Sequence, residues 1–155
     1  MDELVTKLKR ICDAVVKAPT LQAKDGFTYC NMAVQLICKH MGYDGFEGLL
    51  ANQIYEKCDT EFKKVDPKWA AEFAATGGVA IAAVRGSPHG HVAVVYPGPT
   101  TYSNKWKQEV PLVANVGKTN GVIGANWSFR EKPSYYLIVP KTVEEMHEVR
   151  GEERA

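Results

Sequence analysis

No run of apolar residues in this chain is long enough to span a bilayer, and its first residues, Met1-Asp2-Glu3-Leu4-Val5, lack the basic and continuous apolar segments of a secretory signal. The sequence therefore predicts a protein made soluble, with no membrane insertion. An excess of charge is missing too: 19 Lys and Arg face 18 Asp and Glu, which removes the general electrostatic case for nucleic acid. The four cysteines, at 12, 30, 38 and 58, form no Cys-x-x-Cys pair, so neither a structural zinc site nor a thioredoxin-type redox site is indicated. Gly-x-Ser-x-Gly, the serine-hydrolase elbow, is absent. Gly117-Lys118-Thr119 ends like a phosphate-binding loop, but Leu112 stands where that loop needs its first glycine. His89 and His91 offer two metal ligands with no third in a supporting motif, so neither metal nor any other cofactor is expected.

What is present has the size of one domain, 155 residues. Residues 2–18 carry an apolar stripe at 4, 5, 8, 11, 12, 15 and 16, with acids in the first turn and Pro19 just past the end, which predicts a packing helix. A second helix is expected from Cys30 to about Met41, with Gly42 closing it, and a third across 49–58. A fourth starts with Asp66 as N-cap and Pro67 at N1 and stops at Gly77-Gly78. Beyond Gly78 the period becomes extended. Runs at Val79–Val84, His91–Tyr96, Leu112–Val116 and Tyr135–Val139 read as strands, with a weaker one at Val122–Phe129. The first two should pair antiparallel through the turn Arg85–Gly90. The class is α+β, N-terminal helices packed on a C-terminal, mainly antiparallel sheet, as one domain over 1–141 followed by a charged tail, 142–155.

Cys30 is the chemically distinctive residue. It opens a helix whose positive dipole end favours thiolate over thiol. Cys38 sits two turns further along the same apolar face and reads as core, as do Cys12 and Cys58. His91, in Gly90-His91-Val92-Ala93-Val94-Val95, puts an imidazole at the opening of a strand, on one face with Ala93 and Val95. A thiol nucleophile needs such a base. The third member, orienting the imidazole, is assigned to Asn115 in Leu112-Val113-Ala114-Asn115-Val116, with Asn126 as the second candidate and a Cys30–His91 dyad as the fallback. Asn115 has an alternative occupation, bonding the backbone of the Gly117-Lys118 turn that follows it.

This order of parts, a cysteine opening a helix, then Gly-His-Val-Ala-Val-Val, then a polar residue on the next strand, resembles the papain-like NlpC-type and CHAP-type cell-wall cysteine peptidases. Ala51-Asn52-Gln53, the Ala-rich helix ending at Gly77, and Ser134-Tyr135-Tyr136 narrow the likeness to the type VI secretion amidase effectors. The resemblance implies a papain-like fold with Cys30 as nucleophile and His91 as general base. It also implies amide hydrolysis in the peptide stem of peptidoglycan, at the bond between γ-D-glutamate and meso-diaminopimelate. The Cys30 backbone N–H would serve the oxyanion, and Asn52 and Trp127 would line the substrate. A monomer synthesised in the cytoplasm is expected to be exported to the periplasm of a target bacterium, with a cognate immunity protein and a secretion-machine component as partners. A phage-type lysin of the same chemistry, a non-catalytic cell-wall-binding module and a thiol acyltransferase or deamidase remain the alternatives.

Overall fold

A computed structural model describes residues 2–140; the charged tail expected from 142 onward lies outside the described residues. Helix α1 (Asp2–Lys17) is followed by a 3-10 turn at Pro19–Leu21, then by α2 (Cys30–His40), α3 (Ala51–Glu61), β1 (Phe62–Val65) and α4 (Pro67–Ala75). Then come β2 (Ala80–Val84), β3 (His91–Ser103), β4 (Gln108–Asn115), β5 (Gly121–Gly124), the short α5 (Ala125–Ser128) and β6 (Ser134–Pro140). The strands form one six-stranded sheet in the order β1-β6-β2-β3-β4-β5. Every neighbouring pair is antiparallel.

The punctuation follows local chemistry. Gly42 and Gly77, just past the ends of α2 and α4, adopt φ of 101° and 88°, a left-handed conformation that a side chain would oppose. Asp66 caps α4, its Oδ1 accepting from Trp69 N–H at 2.7 Å, with Pro67 in the first turn. Helix α3 starts and ends later than the apolar pattern suggests, with Leu50 at its N-cap and the Gln53 side chain accepting the Leu50 N–H at 2.8 Å.

The sheet is covered on both faces, and period-two alternation divides its residues between two cores. Ile81, Ala83, Val92, Val94 and Tyr136 pack with the apolar faces of α1, α2 and α3. Ala80, Ala82, Ala93, Val95, Tyr135 and Leu137 pack with Ala70 and Ala74 of α4, together with Trp106 and Phe129. Burial of both faces is why β2 and β3 are almost continuously apolar instead of alternating with polar residues.

Besides α3, the strands differ from the sequence expectation, β4 by starting at Gln108 and ending at Asn115 where Leu112–Val116 was expected. The edge strand β1, Phe62-Lys63-Lys64-Val65, has too few apolar residues to announce itself, as suits a charged sheet edge. Strand β3 runs on through Pro97 and Pro99 to Ser103, with its pairing to β4 broken between Tyr96 and Thr101, where prolines cost no ladder bonds. The weak strand expected at Val122–Phe129 divides into β5 and α5, because Ala125 and Phe129, four residues apart, are both buried in the α4-side core across one helical turn.

No helix among the described residues is long and apolar enough to cross a membrane. Cys12, Cys38 and Cys58 are all free and fully buried. Burial pushes the Cys12 thiol up to about 12 and raises Cys38 and Cys58 as well. Their contribution to stability is complete below the ordinary thiol value of 9.0 and is lost as unfolded thiols ionise above it. The thermal midpoint, followed by circular dichroism, should therefore fall steadily above pH 9, and Cys12→Ala should flatten part of that slope.

Candidate active site

The sequence TYCNMAV starts α2 directly on Cys30, with Tyr29 at the N-cap offering no side-chain acceptor to the first-turn amides. Cys30 is 9% exposed and packs in the core beneath α1–α3 with Val92 and Val94. Its thiol lies against the backbone of Val92, the residue after His91, and against the N–H groups of Asn31 and Cys30 itself. Those backbone groups act to lower its pKa, as expected for a helix start. Desolvation by burial outweighs them, and the thiol is raised above its ordinary value.

His91 begins β3, paired with Val84 at the end of β2. The connecting turn is fixed by Asn52 of α3, whose Nδ2 donates to Gly86 O at 2.8 Å while its Oδ1 accepts from Gly86 N–H at 3.1 Å. Gly90 is required beside it, since a Cβ there would collide with the Val84 carbonyl and the Asn52 Oδ1. Asn52 is thus a brace for the turn that delivers His91. It does not line the cleft, where the resemblance had put it.

Asn115, at the end of β4, brings the expected third group to the imidazole. Its Oδ1 stands 2.9 Å from His91 Nε2. Its Nδ2 donates to Thr119 O at 2.8 Å, which fixes which end of the amide carries the oxygen. An amide oxygen only accepts, so the His91 proton belongs on Nε2 and the lone pair on Nδ1. The backbone bond that competed with the orienting role is also made, by the opposite end of the same side chain. Asn126, the second candidate, makes no bond to His91; its Oδ1 is buried without a partner.

Ser128 completes the group. Its hydroxyl donates to Asn115 Oδ1 at 2.6 Å and lies 3.1 Å from His91 Nε2. The Phe129 ring packs on the imidazole with centroids 4.8 Å apart. Burial lowers the His91 pKa below its ordinary 6.5, against the opposing bond from Asn115. Neither Ser128 nor Phe129 was assigned from sequence. The only signal there is a hydroxyl between two aromatics, Trp127-Ser128-Phe129, and no spacing rule ties it to a histidine.

A cleft of about 690 Å³ opens on this cluster, lined by Thr28, His91, Asn115, Ser128 and Phe129 among others. Trp127, 80% exposed, also lines it. Cys30 does not. The partners of His91 belong to the α4 side of the sheet, whereas Cys30 belongs to the α1–α3 side. The Cys30 thiol meets the backbone of Val92, next to His91 in the strand, and no hydrogen bond joins thiol and imidazole among the described residues. Helix α2 does not pack on the face shared by His91, Ala93 and Val95. The cleft thus presents an oriented base, while the helix-start thiol lies in the core on the other side of the sheet. No group of three or more His, Cys, Asp or Glu among the described residues is arranged to hold a metal ion. No protein-family model matches the chain, and no curated protein matches it.

With Cys30 raised and His91 lowered, the pair rests at neutral pH as thiol and free imidazole. Iodoacetamide should label Cys30 at a rate that keeps climbing past pH 9. A thiolate–imidazolium pair would instead give a plateau from about pH 5 to 8, and finding that plateau would overturn the neutral pair.

Proposed function

We propose that the protein is a cysteine amidase that hydrolyses the peptide stem of bacterial peptidoglycan at the bond between γ-D-glutamate and meso-diaminopimelate. In this reading it acts as an antibacterial effector in the periplasm of a target cell. The observation that carries the chemistry is the imidazole held through Nε2 on Asn115, which leaves Nδ1 free as a base, with a helix-start thiol against the backbone of the next residue, Val92. The substrate comes from the resemblance of the Cys30 and Gly90–Val95 segments to wall peptidases of the NlpC and effector type.

The reaction is acyl transfer to sulfur and then to water. His91 Nδ1 takes the Cys30 proton as the sulfur attacks the amide carbonyl, and the carbonyl electron pair moves onto oxygen. The uncapped first-turn amides of α2, that of Cys30 foremost, are the donors for this oxyanion. As the C–N bond breaks, imidazolium returns its proton to the leaving amine, giving a thioester. Water then attacks the thioester with His91 again taking a proton, which releases the carboxylic acid and restores the thiol. Asn115 and Ser128 stabilise the imidazolium formed in both halves, and Phe129 shields it from water. As an effector the enzyme would need a secretion-machine component for export and a cognate immunity protein in the producing cell.

Purified protein should release peptide-bearing fragments from Gram-negative sacculi, read by chromatography and mass spectrometry, and Cys30→Ala should release none. Sacculi left intact by folded wild-type protein would sink the reading. Asn115→Ala should cut the rate about 10-fold to 100-fold by freeing the imidazole. Ser128→Ala should cost less, because the Asn115 bond survives it.

A further inference from the structure

The side chains around the cleft are not a sample of the chain's balanced charge. Arg85, Lys105, Lys118 and Arg130 line it, against Glu131 as the single acid, in a protein with 19 basic and 18 acidic residues overall. Two of these cations are engaged. Arg85 is paired with Glu56, and Lys105 lies over the Trp106 ring with its Nζ 3.5 Å from the Phe129 carbonyl. Lys118 and Arg130 are exposed and are in no ion pair among the described residues.

Both line the same cleft as the imidazole. Lys118 sits in the turn between β4 and β5, which is tied down from three directions. Asn115 Nδ2 donates to Thr119 O at 2.8 Å, Gly117 N–H donates to Asn120 Oδ1 at 2.9 Å, and Asn120 Nδ2 donates to Leu21 O at 2.9 Å. Arg130 follows directly on Phe129, whose ring is against His91. Two cations without an ion pair among the described residues therefore line the cleft with His91, one on a turn held by Asn115 and one next to the ring that packs on the imidazole. That arrangement favours an anionic ligand at little ordering cost.

We infer that the cleft selects a peptide carrying at least two free carboxylates, with Lys118 and Arg130 as the residues that hold them. The inference rests on the amidase reading and narrows its substrate. Stem peptides whose glutamyl and diaminopimelyl carboxylates are free fit the cleft, and stems in which these groups are amidated do not.

The test is calorimetric titration of the folded Cys30→Ala protein with L-alanyl-γ-D-glutamyl-meso-diaminopimelate and with the same tripeptide bearing carboxamides. At low salt the acid should bind about tenfold more tightly than the amide, and the advantage should shrink in 0.5 M NaCl. Lys118→Gln and Arg130→Gln, both at exposed positions, should each weaken acid binding about fivefold and leave amide binding unchanged. Equal binding of acid and amide, or variants that weaken both alike, would overturn the inference. Hydrolysis of acidic and amidated stems at equal rates by wild-type protein would sink the charge selection and leave the amidase standing. Acid-selective binding without any hydrolysis would do the reverse.

Discussion

The buried amide of Asn115 is the constraint on which the site depends. One end holds the imidazole and the other holds the turn after β4, so the side chain can neither rotate nor exchange its oxygen for its nitrogen without losing a bond. A buried polar group left unmatched costs on the order of 1–3 kcal/mol, which makes the doubly bonded orientation the stable one. The consequence reaches the proton. With Oδ1 facing His91, the ring has one tautomer available, and its basic nitrogen is the one away from Asn115. The bond to Thr119 O also holds the turn that carries Lys118, so base and cation share Asn115 as one anchor.

Burial works against the nucleophile as much as it protects it. The N–H groups at the start of α2 and of Val92 favour a thiolate at Cys30, yet the loss of water is the larger effect. His91, covered by Phe129 and half-buried, is likewise kept from charging. Both groups rest neutral near neutral pH, each with its charged form opposed by burial. In the proposed reaction, activation belongs to the moment when a substrate carbonyl meets the first-turn amides of α2. A permanently charged pair is not required.

Much of the fold was readable because its signals are local. The stripe of α1, the Asp66-Pro67 start of α4, the glycines after α2 and α4 and the apolar runs of β2 and β3 are each set by neighbours within a few residues. What escaped depends on distant partners. Phe62–Val65 is a strand only because β6 offers it an edge. Asn52 looked like a substrate contact, but its partners at Gly86 are brought to it by the packing of α3 against the β2–β3 turn. Ser128 and Phe129 gain their roles because α5 places them over a histidine on another strand.

The chain by itself determined which side chains could do chemistry and where each sits in its own element: Cys30 first in a helix, His91 first in a strand, Asn115 last in one. Periodicity and capping require nothing beyond adjacent residues, so they survive in a one-dimensional record. Only the tertiary structure decided how those side chains meet. It set Cys30 and His91 on opposite layers of the sheet, laid the thiol against the Val92 backbone, and gave the Asn115 amide its two bonds. Hydrogen-bond geometry between residues far apart in sequence exists only once the sheet is assembled, and no spacing along the chain encodes it.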